Sequence, residues 1–443
     1  MHGASSGIRR DDGYQIGPTL FNGFFSSELA PALADMVEVG VAVYTADRMC
    51  RRKIGGADTY QHSWHRRMRL TVPVRDPSLW NSEEVQARLR AALTFMTDDE
   101  WHFRFTRHEG PSRALQGSLS NALPRPPRAV ALFSGGLDSL AGFCQEAVQR
   151  PEASFVLVSA WTNRRLLRRQ ISLARAIPES TGRKILPVFV HFGLRRGGST
   201  YNDDERSQRT RGFVHGLLGA AVALAMEEEA VACYENGVGA LNLPLSPVQL
   251  GAQSARSAHP LALSQLAGLV EVVTDRRFDF RLPFLTHAKG RLCRAIGQLN
   301  LSALVQETVS CDAFPRRVRG KPQCGWCTSC LLRRQALKVA GLGSADPPGE
   351  YEVDVHAPGP RNPDLEWNLQ VMLQQVRRLR LAISAPDRWG GLVLAYPALD
   401  QTVQALAALG WDARQLRAGI TEVYSLYCSE WEHFEQQSLP FVA

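Results

Sequence analysis

Two groups of residues in this 443-residue chain have the types and spacing to do chemistry. The first is the run Ala131-Leu-Phe-Ser-Gly-Gly-Leu-Asp-Ser139, where a short apolar segment turns through two glycines into a helical pattern. A helix N-terminus presents unpaired backbone N–H groups and a partial positive charge, so it attracts anions. Gly135 and Gly136 remove the side chains that would hold a phosphate away from the main chain. Ser134 and Ser139 can add hydroxyl donors. Ser134, Gly135, Gly136, Leu137, Asp138 and Ser139 are therefore the candidate phosphate-binding residues. Asp138 would repel bare phosphate, so its expected use is to hold Mg²⁺ or a water bound to it. The plainer reading is a Gly-Gly turn with Ser134 as helix cap. The complete Ser-Gly-Gly-Leu-Asp-Ser, placed between strand and helix, favours phosphate. The run is neither a Walker A loop nor a dinucleotide G-x-G-x-x-G.

The second group is Cys311, Cys324, Cys327 and Cys330, spaced C-x12-C-x2-C-x2-C. Four thiolates gathered this way suit tetrahedral Zn²⁺, and four protein ligands leave no open position, so such a metal is structural. A redox pair or an iron–sulfur cluster are the other readings of the same cysteines. Arg316, Arg317, Arg319, Lys321, Arg333 and Arg334 surround the run and could offset the negative charge of a zinc-thiolate centre. The remaining five cysteines are scattered and read as small buried hydrophobes.

Further along the chain, Tyr234-Glu-Asn-Gly237 follows a predicted strand, where a parallel sheet offers its ligand crevice. Glu235 could accept from the paired N–H donors of a guanine-like ring, with Asn236 beside it. Arg256 could hold a carboxylate and His259 could carry a proton. Turn and capping roles, including a cap by Ser257, explain these positions about as well.

The glycine-serine run resembles the pyrophosphate loop, Ser-Gly-Gly-x-Asp-Ser, of the PP-loop ATP pyrophosphatases. Taken with Cys324-Gly-Trp-Cys327-Thr-Ser-Cys330-Leu-Leu-Arg333-Arg334, the region from about 129 to 340 is similar to the QueC family, the 7-cyano-7-deazaguanine synthases. The resemblance implies an α/β fold of the adenine nucleotide alpha hydrolase type with a structural zinc site. It implies ATP, Mg²⁺ and Zn²⁺ as cofactors, and adenylation of 7-carboxy-7-deazaguanine followed by attack of ammonia to give an amide and then a nitrile. Asp138, Ser139 and Lys289 would be catalytic, since Arg281-Leu-Pro-Phe-Leu-Thr-His-Ala-Lys289 looks like the family's Thr-Pro-Leu…Asp-Lys stretch. Lys289 would meet the substrate carboxylate or the ATP phosphates; a surface lysine at a helix start is the plainer reading. Two segments depart from the family: Trp161-Thr-Asn-Arg-Arg165 and Arg209-Thr-Arg-Gly212. They leave the acceptor side open. The long flanks, with Glu235-Asn-Gly, Leu241-Asn-Leu-Pro244 and Ala258-His-Pro260, are similar to the QueC-like components of anti-phage Qat operons. That likeness implies operon partner proteins, a homo-oligomer or hetero-complex, and a protein amine as an alternative acceptor to ammonia.

These residues need elements to position them. Between 128 and 342, short apolar runs (Ala129–Phe133, Phe155–Ala160, Ile185–Phe192, Val231–Tyr234) alternate with amphipathic stretches (Leu137–Gln149, Arg165–Ile177, Ser207–Glu228, Pro260–Val273). That alternation predicts a doubly wound parallel sheet. Residues 1–127 read as an α+β domain, with strands at Val39–Tyr44, Arg69–Val74 and Trp101–Thr106, a helix at Ser82–Leu93, and a boundary at Pro124, Pro126 and Pro127. Residues 343–443 read as a helical extension over Leu365–Ala382 and Ala398–Cys428, with Trp367, Trp389, Trp411 and Trp431 as core or interface anchors.

Composition narrows the class. Hydrophobic residues make up 44% and charged residues 21%, which excludes a disordered chain. The net charge is +8, and all but five of the 51 basic residues are arginine. Arginine suits bidentate phosphate or carboxylate binding; coding bias in a GC-rich genome is the plainer account. Nucleic acid is permitted as a partner but not indicated. Asn236–Ala255 is broken by Pro244 and Pro247, and Gly212–Met226 is shorter than the roughly 20 residues of a membrane helix and reads as a buried one. The start, MHGASSGIRRDDG, has no apolar stretch of a secretory signal, and nine cysteines do not suggest a disulfide framework, so the expected location is the cytoplasm. A tRNA-thiolating enzyme using Cys144 or Cys233, and a non-catalytic nucleotide sensor, are the competing functions.

Overall fold

The computed structural model describes residues 13–16, 30–52, 65–108, 128–195, 205–246, 249, 251, 254–312, 314, 320–355 and 362–438. The expected boundary prolines Pro124, Pro126 and Pro127, the N-terminal run before residue 13, Pro247, and Arg316, Arg317 and Arg319 lie outside them.

The apolar runs of the middle segment form a sheet. Strands β4 (Arg128–Leu132), β5 (Ser154–Trp161), β6 (Ile185–Arg195), β7 (Ala230–Cys233) and β8 (Asp279–Arg281) are parallel, in the order β6-β5-β4-β7-β8. A further strand, β1 (Gly13–Ile16), joins the β6 edge antiparallel. β5 is buried along nearly its whole length, which explains why its sequence shows no alternation. The chain builds outward from β4 to β6, then returns to add β7 and β8 on the other side. The strand order therefore reverses between β4 and β7, and at such a point the loops leaving the two strands diverge and open a crevice.

Helices cover both faces. On one face α3 (Leu137–Gln149), α4 (Arg164–Thr181) and α7 (Lys289–Gln298) bury Leu140, Phe143, Leu173, Leu292 and Ile296 against Phe155 and Leu157. On the other, α1 (Pro31–Met49), α5 (Arg211–Ala225) and α6 (Pro260–Thr274) bury Val39, Val43, Leu217, Leu218 and Leu266 against Val156, Val188 and Val190.

The stretch Val39–Tyr44 is not a strand. It lies within α1, whose residues are buried on nearly every side. A helix without a solvent face shows no polar stripe of period 3.6, and its Val-Glu-Val-Gly-Val-Ala-Val then imitates a strand. Two acids in it, Asp35 and Glu38, are held by Arg75, whose Nη1 lies 2.7 Å and 3.2 Å from them. The other two expected strands, β2 (Arg67–Val74) and β3 (Glu100–Arg107), pair in parallel across α2 (Glu83–Thr97) as a second, two-stranded sheet. Residues of α1, α2, β2 and β3 share one apolar cluster with α5, α6 and the large sheet.

The remaining helices follow the sheet. α8 (Thr328–Val339) leads out of the cysteine run; α9 (Pro363–Ile383), α10 (Arg388–Ala395), α11 (Ala398–Ala408) and α12 (Ala413–Ser438) form the C-terminal group. The expected helix over Ala398–Cys428 is two helices, broken near Gly410, whose φ of +94° ends α11. This group packs around Trp431, Tyr424 and Leu373 and reaches into the sheet unit through Leu285 and Leu331. Trp389 and Trp411 sit at the margin of that cluster, whereas Trp367 is 71% exposed and belongs to no apolar cluster among the described residues. Among the described residues, no helix is long and apolar enough to cross a membrane.

Candidate functional site

The loop after β4 and the loop after β7 meet at the strand reversal. In the first, Gly135 takes a φ of +80°, a left-handed conformation that favours glycine. A Cβ on Gly136 would stand 3.2 Å from Ser134 Oγ and 3.4 Å from the Val309 carbonyl. The loop is tied together by its own serines: Ser134 N–H donates to Ser139 Oγ at 3.1 Å, the two hydroxyls lie 2.8 Å apart, and Gly136 N–H donates to Ser134 Oγ at 3.2 Å. Ser134 is exposed, while Leu137 is fully buried and can offer a ligand only its amide. No side chain caps the first turn of α3. Asp138 is the one acid within that turn, and it is itself engaged by other residues.

Two supports hold the loop from behind. Gln170, fully buried on α4, donates from Nε2 to the carbonyls of Ser134 at 3.0 Å and Ala160 at 3.2 Å. Val309 N–H donates to the Gly135 carbonyl at 3.1 Å. The sequence carried a sign of Gln170, which interrupts the apolar stripe Leu166, Leu173, Ile177 at helical spacing.

Asp138 is the point of convergence. Its Oδ1 accepts from Asn236 Nδ2 at 3.0 Å and its Oδ2 from Lys289 Nζ at 2.7 Å. Residues from three separate elements thus meet at one carboxylate. The lysine is buried, not a surface residue. Burial alone would lower its pKa, but the carboxylates of Asp138 and Glu235 outweigh that and hold it above the ordinary value. Glu235 shows the opposite balance. Burial and the Asp138 charge push its carboxyl up to about 8, so it is largely protonated at neutral pH. The site holds two acids against one cation.

Several expected roles change. Asp138 is engaged by Lys289 and Asn236, so Mg²⁺ would have to share its oxygens with them. Asn236 is buried and spent: its Oδ1 caps the short helix Gly237–Leu241 through Gly239 N–H, and its Nδ2 bridges Asp138 and Glu235. It organises the site and is not a free substrate contact. Glu235 Oε1 is taken by Asn236, and a protonated Glu235 cannot accept two guanine-type donors as an ionised one would. Arg256 and His259 are not in this network. Arg256 turns to the loop after α2, donating to the Phe95 carbonyl at 2.7 Å and Asp98 at 3.1 Å. The His259 Nδ1 caps α6 by accepting from Leu261 N–H, its ring lies against Phe95, and burial beside Arg256 lowers its pKa to about 3. A ring that stays neutral across the physiological range is a cap, not a proton carrier.

The four cysteines come together. Cys311, Cys324, Cys327 and Cys330 are all buried, with their sulfurs within 4.8 Å of one another and no disulfide. Zn–S bonds of about 2.3 Å set tetrahedral sulfurs about 3.8 Å apart; Cys324 and Cys330 stand at 3.9 Å. The amides of Cys324 and Cys327 donate to Cys311 Sγ and Cys324 Sγ at 3.3 Å, which stabilises thiolate charge. The donor set therefore fits a metal such as zinc, and among the described residues it is the only such group of three or more ligands. Arg333 and Arg334 serve a different purpose from the expected charge offset. Arg333 is buried against Asp346 at 3.0 Å, and Arg334 pairs with Asp354 at 3.2 Å over the Tyr351 ring. Arg333 also donates to Thr308 Oγ1 at 2.6 Å and the Val305 carbonyl at 2.7 Å. Helix α8, which starts from the cysteine run, so anchors the segment whose Val309 supports Gly135.

No protein-family model matches the chain, and the comparison with curated proteins finds no match.

Proposed function

We propose that the chain is an ATP-dependent enzyme that adenylates the carboxylate of a 7-deazaguanine and passes the acyl group to an amine. The observation that carries this reading is the meeting of an uncapped Ser134–Ser139 loop with Lys289, Asp138 and Glu235 at the strand reversal. The loop amides and serine hydroxyls bind the β- and γ-phosphates. The substrate carboxylate oxygen attacks the α-phosphorus and the bond to pyrophosphate breaks; Lys289 offsets the charge that collects on the leaving group. The amine then attacks the acyl carbon and AMP leaves. Holding both reactants at one crevice supplies much of the rate. Mg²⁺, with Asp138 as the residue to hold it, would add charge neutralisation at the phosphates. Zn²⁺ in the cysteine cluster would hold structure only.

The departures on the acceptor side favour an amine other than ammonia, and a partner protein of a defence operon is the proposed source. Base thiolation fits less well. Burial raises the thiol pKa of both cysteines, that of Cys233 to about 12, and neither is a ready thiolate. The test is ATP–pyrophosphate exchange with radiolabelled pyrophosphate. Exchange that depends on 7-carboxy-7-deazaguanine supports the reading; no exchange with any purine-type carboxylate refutes it. Intact masses of candidate partner proteins after the reaction distinguish a protein acceptor from free nitrile.

A further inference from the structure

The C-terminal helices reach the candidate site through one carboxylate. Helix α7 carries Lys289 as its first residue. Its N-cap is Ala288, which has no side chain able to accept a hydrogen bond, and its first turn contains no acid. The leading amides of a helix need an acceptor from somewhere. Here it comes from far along the chain. Glu430 on α12 accepts from Gly290 N–H at 3.1 Å and from Arg291 N–H at 2.8 Å, one carboxylate oxygen to each. Glu430 is buried, and Gln335 Nε2 of α8 approaches the same carboxylate at 3.5 Å. A Cβ on Gly290 would lie 2.8 Å from the carboxylate, so any larger residue there would displace it. The neighbouring Tyr427 and Trp431 fix α12 in the C-terminal cluster.

Helix α7 is thus located by its apolar side, where Leu292 and Ile296 pack against the α3 face, and at its first turn by Glu430. Lys289 is the residue at that first turn, and its Nζ must reach Asp138 while buried.

We propose that Glu430 is a positioning residue, which by capping α7 holds Lys289 against Asp138 and so links the C-terminal helices to the phosphate loop. The consequence for nucleotide binding rests on the reading of that loop given above; the consequence for Lys289 does not.

The chain has five lysines, so isotope-labelled lysine gives a simple spectrum in which Lys289 is assigned by the single substitution Lys289→Arg. The full-length protein is compared with Glu430→Ala and Glu430→Gln by the Lys289 resonance and by Mg-ATP affinity from calorimetry, with melting curves to confirm folding. Glu430→Ala should move the Lys289 resonance and weaken Mg-ATP binding by about tenfold. Glu430→Gln keeps one carbonyl acceptor and should move both less. A folded Glu430→Ala with unchanged Lys289 resonance overturns the proposal, even if its melting temperature falls, because Glu430 is then only a cap. Should Glu430→Ala not fold, Glu430→Gln decides by the same resonance: a shift upholds the proposal and none overturns it. Should the wild type not bind Mg-ATP, the phosphate reading fails while the resonance still decides the positioning role.

Discussion

Two buried clusters of charge in this molecule look alike in composition and differ in balance. One joins α1 to the β2–α2–β3 unit. Arg52 is bidentate to Asp99 at 2.9 Å and 2.7 Å, Arg66 reaches both Asp47 at 2.5 Å and Asp99 at 2.6 Å, and Thr210 N–H and Oγ1 donate to Asp47. Burial pulls the Arg66 pKa down, but the two aspartates more than compensate and hold it above its ordinary value. Each acid there is matched by a guanidinium and by backbone donors. The other cluster, Asp138, Glu235 and Lys289 at the strand reversal, is one cation short, and Glu235 responds by keeping its proton. A cluster that satisfies itself is built to hold elements together. One that does not, at the strand reversal of a parallel sheet, has the character of a place where ligands bind.

Breaking the first cluster should cost the fold. Asp99→Ala leaves Arg52 and Arg66 short of their shared partner inside the protein and is expected to destabilise by about 3–5 kcal/mol. Chemical denaturation with circular dichroism would show it. A loss below about 1 kcal/mol would mean that the cluster is solvated and the contrast unreal.

Removing metal from the cysteine cluster should come next in size. Cys327→Ser, or treatment with a strong chelator, should lower the melting temperature by several degrees and release about one zinc per chain. It should also raise hydrogen exchange at Gly135 and Gly136, because Arg333 of α8 holds the segment that supports them. Metal loss that left the exchange of that loop unchanged would break the link between the two features.

The second cluster should behave differently. Among the described residues, Lys289→Met removes the one cation paired with Asp138, and a methionine matches the buried stem. Asp138 is the more exposed partner and keeps its bond from Asn236, so stability is expected to fall less than in Asp99→Ala, while pyrophosphate exchange falls about a hundredfold or more. The reverse pattern, a collapse of stability with normal exchange per folded molecule, would make this cluster structural too.

The last effect is the most specific. The Glu235 carboxyl is raised from 4.5 to about 8 in the folded chain. Between those values the unfolded chain has released a proton that the folded chain keeps. Folding stability therefore falls as pH rises through that window, and the loss is complete above the folded value. Glu235→Gln mimics the protonated form, so its advantage over wild type should grow with pH across the window. Equilibrium unfolding at several pH values measures this; an advantage independent of pH would place the proton elsewhere.

Much of the site could be read from sequence because its parts answer to backbone demands. Gly135 and Gly136 mark a tight turn into a helix, and four cysteines mark a cluster that could hold a metal ion. The strands showed because the inner sheet is uniformly buried. Partnerships were less visible. Arg256 and His259 have the right chemistry for a ligand, but their partners Phe95 and Asp98 lie about 160 positions away. Glu430 gave no local sign at all, because what calls for it is the missing cap at Ala288. Helix α1 was misread because burial on every side erased its period.

The central claim is that a nucleotide's phosphates rest on the Ser134–Ser139 loop beside Lys289. Calorimetry of Mg-ATP on the wild type and on Gly135→Val tests it most directly, since a branched residue cannot adopt the φ of +80° that the loop requires. The account predicts binding to the wild type and a loss of at least about tenfold in the variant, with zinc content unchanged. Equal affinity in both proteins would contradict it.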